Sequence, residues 1–109
     1  MKTIKIGGKK RPLDFDYNAL CDYEDLVGSN FFDAIRSIDL RRGRALVYMG
    51  LKSGARKDNQ NFDYTLEEVG EWLQEEDATI MEEVMIIVTE SLPQKKKTQD
   101  GETEAKKKS

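Results

Sequence analysis

Histidine is absent from this chain, and with it the commonest general acid/base and the commonest transition-metal ligand. There is a single cysteine, Cys21, so no disulfide can form within the chain, which suits a reducing cytosol. It falls inside a predicted helix with no histidine to activate it, and reads as a buried, unreactive thiol. No apolar run approaches the roughly 18 to 20 residues that cross a bilayer, and no membrane partner is expected. The N-terminus has lysines but lacks the apolar stretch of a signal peptide, which argues against export. The two prolines stand at positions 12 and 93, and Pro93 is expected to stop the last helix.

Chemistry-bearing motifs are equally scarce. Glu67/Glu68, Glu75/Glu76 and Glu82/Glu83 are adjacent pairs on predicted helices, where successive side chains diverge by about 100°; a solvated face fits them better than a converging acid/base or cation site. Gly7-Gly8-Lys9-Lys10 lacks the Gly-x-x-x-x-Gly-Lys-Ser/Thr spacing of a phosphate loop and reads as a hairpin turn. The residues therefore point to no catalytic, cofactor-binding or metal site, and the chain is expected not to be an enzyme.

What is present is a mostly α, α+β pattern. Ile4 and Ile6 alternate with Lys5, and Leu13 and Phe15 with Asp14, predicting a β-hairpin over about 2–15 with Pro12 at the start of its second strand. Asp16 is positioned to cap a helix from about Tyr17 to Val27 that ends at Gly28, with Tyr17, Leu20, Cys21 and Val27 inward. Ser29 or Asn30 begins a short helix carrying Phe31, Phe32, Ile35 and Ile38. Asp39 caps a helix from about Leu40 to Lys52, in which Gly43 and Gly50 each cost about 1 kcal/mol against alanine and so imply close packing. A polar loop follows from Ser53 to Tyr64. Thr65 and Glu68 have capping-box spacing for a helix to about Gln74. Asp77 caps a last helix to about Leu92, whose Ile80, Val84, Val88 and Leu92 recur every four residues, widened by Met81, Met85 and Ile87. The expected architecture is one domain over 1–93, a hairpin packed on four to five helices within about 17–92. It is followed by a disordered, lysine-rich tail over 94–109.

Charge is segregated along the chain. Positions 1–93 carry 12 basic and 18 acidic residues, and the tail six and three. Between Arg36 and Lys57 the charges are basic except for Asp39; from Asp58 to Gln94 they are all acidic. Either these blocks are solvated helix faces, partly paired within the fold, or a basic helix of one subunit faces an acidic helix of the next, a head-to-tail contact that builds a homo-oligomer as a ring or filament. The candidate protein contacts on these helices are Arg41, Arg42, Arg44, Glu67, Glu68, Glu71, Trp72 and Glu75, with the aromatic pair Phe31/Phe32 beside them. An acidic folded part without a recognised DNA or RNA motif argues against a nucleic-acid partner.

One succession of segments is more informative than any single motif. A short strand, Gly7-Gly8, a second strand and Leu13-Asp14-Phe15-Asp16-Tyr17-Asn18-Ala19-Leu20 run into Glu24-Asp25-Leu26-Val27-Gly28. Then come Arg44-Ala45-Leu46-Val47-Tyr48-Met49-Gly50-Leu51, a polar loop, and Thr65-Leu66-Glu67-Glu68-Val69-Gly70-Glu71-Trp72-Leu73. In order and character, over Lys2 to Leu92, this resembles the small tail assembly chaperones of long-tailed bacteriophages and the related gene-transfer-agent proteins. The resemblance implies a non-enzymatic chaperone in the host cell cytoplasm that binds the tape measure protein and keeps its long apolar helices soluble. A long form, made by ribosomal frameshifting near the end of the reading frame, would bring in tail tube protein. The Lys95–Lys97 and Lys106–Lys108 runs are compatible with slippery, adenine-rich coding DNA. The chaperone would be absent from the virion. The alternative is a small protein-binding adaptor or regulatory domain with no tail role.

Overall fold

A computed structural model describes residues 2–92; the proposed tail lies outside the described residues. Two strands and five helices follow in order: β1 (Lys2–Ile6), β2 (Lys9–Leu13), α1 (Tyr17–Val27), α2 (Phe31–Arg36), α3 (Leu40–Lys57), α4 (Leu66–Gln74) and α5 (Thr79–Ser91). The α+β class, with an N-terminal hairpin on five helices, is as the sequence implies.

The hairpin is antiparallel with Ile4 opposite Arg11 and Ile6 opposite Lys9. Gly7 and Gly8 alone form its turn, at φ +63° and +83°, the positive values a two-residue hairpin loop of the primed type requires. Two expectations are thereby corrected. Lys9 and Lys10 belong to β2 rather than to the turn, and Pro12 is the fourth residue of β2 rather than its first. The inward face of β2 is consequently Arg11 and Leu13, and Phe15 is buried just beyond the strand.

The helix starts follow local chemistry. Asp16 accepts from the Ala19 N–H at 2.8 Å, Asn30 from Asp33 at 2.9 Å and Asp39 from Arg42 at 2.8 Å. At α4 the capping box closes both ways, with Glu68 N–H donating to Thr65 Oγ1 and Thr65 N–H to Glu68 Oε1. Asp77 accepts from the Thr79 N–H at 3.0 Å and so supports the start of α5 from one residue before its assigned cap, Ala78.

α3 is the central element. It runs five residues past its expected end at Lys52, because Ser53, Gly54 and Ala55 are buried against the hairpin rather than exposed in a loop. Asn59, at φ +56°, ends it: the Gln60 N–H reaches the Ala55 carbonyl at 2.8 Å and the Asn59 N–H reaches Arg56 at 3.3 Å, a Schellman arrangement with asparagine in the left-handed position. β2 crosses α3 at backbone contact. The Asp14 N–H donates to the Gly50 carbonyl at 3.0 Å, and a Cβ on Gly54 would collide with the Pro12 carbonyl.

Around this crossing lies the core: Ile6, Leu13, Phe15, Tyr23, Leu46, Val47, Leu51, Val69, Val84 and Val88 are almost fully buried. α5 turns Ile80, Val84, Ile87 and Val88 inward, packs on β1, and is joined to it at the surface by a Lys2–Glu90 ion pair of 3.1 Å. α1 is rotated somewhat from its expected setting: Leu20 and Val27 pack against the core as expected, but Tyr17 and Cys21 do not. Its buried residues are Ala19 and Tyr23, whereas Tyr17 is 73% exposed and Cys21 is exposed too. Tyr23 takes the inward position because its ring packs edge-on against Phe31, centroids 6.0 Å apart. The expectation of a buried thiol fails with that rotation.

Candidate protein-docking groove

Buried positions on α3 recur at 43, 47, 50 and 54, which is helical spacing. One turn back, the same stripe contains Leu40, which is 94% exposed. The apolar face of α3 thus extends past the core that covers it. Beside Leu40 lies an open, largely apolar groove of about 540 Å³, formed by the first turns of α3, the end of α4 and the α4–α5 connection. Ile38, Gly43, Leu73, Ile80 and Met81 supply its apolar lining, and Asp39, Arg44, Glu76 and Asp77 its charge. Gly43 leaves room for Met81, whose Cε lies 3.3 Å from where a Cβ would stand; a flexible methionine there can adjust to what the groove holds.

The electrostatics of this region are unbalanced at both helix ends. Leu40, Arg41 and Arg42 open α3, where the helix dipole is positive, and no acidic residue occupies its first turn. Arg42 finds Asp39 at 3.6 Å and the Ser37 carbonyl at 2.9 Å. The Arg42 N–H, with burial opposing it and then Arg42 and Arg41 assisting, holds the Asp39 carboxyl below its usual pKa. Among the described residues, Arg41 and Arg44 make no ion pair, and Arg44 Nε is buried without a hydrogen-bond partner. Glu76 lines the opposite side of the groove and, with Glu75, follows the end of α4, where the dipole is negative. No carboxylate from Asp58 to Glu83 is ion-paired among the described residues.

Of the other basic residues between Arg36 and Lys57, all but Lys52 are ion-paired among the described residues. Lys57 lies 3.2 Å from Asp14 and 3.4 Å from Asp16, Arg56 lies 3.6 Å from Asp16, and Arg36 lies 3.7 Å from Asp33. Burial pushes the Asp16 pKa up, but the Ala19 N–H together with Lys57 and Arg56 outweighs it and leaves the carboxyl below its usual value. The Asp14 hydrogen bond, against some desolvation, raises Lys57. The basic block is therefore partly satisfied within the fold by the carboxylates of other segments, while the acidic block of α4 and α5 faces outward.

The eight residues singled out from sequence are not brought to one site. Arg44 lines the groove, and both Arg41 and Arg44 line an adjoining cleft with Leu40, Gly70, Leu73 and Gln74. Arg42 lines neither of these but shares with Arg41 and Arg44 a further cleft beside Leu26, Val27 and Leu66. Glu67, Glu71 and Glu75 form an exposed stripe along α4 at spacings of four, a mildly repulsive series of like charges, and Glu68 is held in the capping box. Trp72 points the opposite way, under the hairpin. Its ring lies 4.2 Å from the Arg11 guanidinium carbon, and a Cβ on Gly7 would come within 2.7 Å of it. Phe31 is buried, while Phe32 is 61% exposed. Sequence reasoning did not single out Leu40, Glu76 or Asp77 as contacts; the overshoot of the 40–43–47–50–54 stripe was the available signal for Leu40.

Among the described residues, no helix is long and apolar enough to cross a membrane, and no group of three or more Cys, Asp or Glu side chains is placed to hold a metal ion. Comparison with known proteins gives no significant match to a family model, a curated protein or a solved structure.

Proposed function

We propose that this protein is a non-enzymatic phage tail assembly chaperone, acting in the host cytoplasm, that binds the tape measure protein and helps recruit tail tube subunits. The reading rests on the resemblance in segment order. The observation that supports it best is the groove beside Leu40, an apolar surface left open at the end of a well-packed helix. Single apolar side chains on a surface are ordinary; an open apolar groove continuous with a core stripe suits a protein contact.

In this reading the client presents helices with apolar stripes, which lie in grooves by inserting side chains at spacings of three and four. Each contact is small and weak, and many copies along one long client hold it by avidity. Tube subunits then displace them one at a time. The unpaired carboxylates of α4 and α5 keep the loaded complex hydrated.

Co-expression with the tape measure protein of the same genome, followed by light scattering on the soluble fraction, tests this. The expected result is a soluble complex with many chaperone copies per client. A client that stays insoluble, or a complex with a single copy bound, favours the adaptor alternative.

A further inference from the structure

We propose that the groove is closed, before any client arrives, by a second copy of this chain: two protomers pair about a two-fold axis, and each Leu40 enters the groove of the other, between Leu73 and Met81, as Arg44 meets the partner's Glu76. This concerns the same groove as the proposed function and names what covers it in the free protein.

Three observations favour a second copy over other occupants. The projecting side chain and the socket lie on one surface patch, since Leu40 stands at the rim of the groove that Gly43, Leu73 and Met81 line. A two-fold contact requires that arrangement, because the same patch must supply both halves. The charges are also self-complementary. Arg41 sits in the first turn of α3 and Arg44 just beyond it, Glu75 and Glu76 stand at a helix end that disfavours them, and none of the four has an ion partner within the described residues. Pairing with the opposite charge of a second copy relieves both sets. The other large exposed aliphatic side chain on the acidic helices fits less well. Ile86 is 58% exposed on α5, between Glu82, Glu83 and Glu90, and would bring carboxylates onto the acidic rim at Glu76 and Asp77.

The contact is expected to be weak. Each copy carries more acidic than basic residues over 1–93, so the copies repel at long range and attract only in register. Weakness lets a client displace the second copy, and only that release step rests on the proposed function.

Sedimentation velocity on the full chain without client, across a concentration series, tests the pairing. The wild-type protein should show a monomer–dimer equilibrium. Leu40→Asp changes a fully exposed residue and so leaves the fold intact by circular dichroism, and should weaken association about tenfold or more. Arg44→Glu and Glu76→Arg should each weaken it alone. An equimolar mixture of those two variants should restore dimer, because each then faces its opposite charge. A wild-type chain that stays monomeric overturns the proposal. So does a dimer indifferent to Leu40→Asp, or a mixture of the charge variants that stays dissociated while both remain folded. A failed dimer would leave the client experiment untouched, and a failed client experiment would leave the dimer standing.

Discussion

The guanidinium of Arg11 lies 4.2 Å over the ring of Trp72 while its Nε donates to the Ile6 carbonyl at 2.8 Å. A second donor, Nη2, reaches the Gly7 carbonyl at 3.0 Å, and Tyr64 stands 5.0 Å away on the same cation. One charged side chain thus closes the hairpin turn and fastens it to α4. Arg11→Ala is expected to destabilise the protein by about 2–3 kcal/mol, combining lost charge-assisted hydrogen bonds with lost stacking. Arg11→Lys should recover only part of this, since an ammonium lacks the planar fork. Urea unfolding followed by the fluorescence of Trp72, the sole tryptophan, measures both and reports directly on the docked turn.

Two helix glycines should respond oppositely to alanine. At Gly54 a Cβ meets the Pro12 backbone, which cannot step aside, so overpacking exceeds the helix-propensity gain and Gly54→Ala costs about 1–2 kcal/mol. At Gly70 the nearest atom is Arg44 Cδ at 3.2 Å, on a flexible side chain. Gly70→Ala should therefore raise stability by up to about 1 kcal/mol. Thermal melts of the two variants decide the contrast; equal effects would show that β2 does not rest on the α3 backbone.

The Asp14, Asp16 and Lys57 cluster gives stability a pH signature. Asp16 is held below its ordinary value of 3.8, so its contribution is present above that pH and is lost as pH falls through the lowered value. Lys57 is held above its ordinary 10.5, so its contribution is present below that pH and disappears as pH rises through the raised value. Urea midpoints measured against pH should fall on both sides of this window. Asp16→Asn should flatten the acid limb and Lys57→Met the alkaline limb, more visibly at low salt because these side chains are partly exposed.

Cys21 is exposed on α1, and a native-state thiol titration should modify it without denaturant. The yield should match that in denaturant. Modification only after unfolding would return Cys21 to the interior and reverse the rotation described for α1.

Most helix starts and the stop of α1 were legible because each has a local chemical cause: Asp16 and Asp39 as caps, Ser29 or Asn30 ahead of α2, Thr65 with Glu68 as a box, Gly28 as a left-handed stop. What sequence missed depended on partners distant in the chain. Ser53, Gly54 and Ala55 look like loop residues until β2 lies across them, and Asn59 performs the stop that a glycine would have advertised. Arg11 occupies an inward strand position that a hydrophobic pattern rejects, since only Trp72, Tyr64 and two carbonyls make that burial tolerable. On α1, Cys21 was expected inward and Tyr23 was not singled out; the fit of Tyr23 against Phe31, a partner on another helix, sets which of them is buried. The candidate site was legible only in part. Arg41 and Arg44 were found by charge, whereas the groove needs α4 and α5 brought beside α3.

If the groove is the surface that binds the proposed client, amide hydrogen exchange on this protein will show it. The exchange is measured with and without tape measure protein, at a dilution where the free chain is monomeric. New protection is expected only in the segments around Ile38–Arg44 and Leu73–Met81. Protection on the outer faces of α1 and α2, with these two segments unchanged, would contradict it.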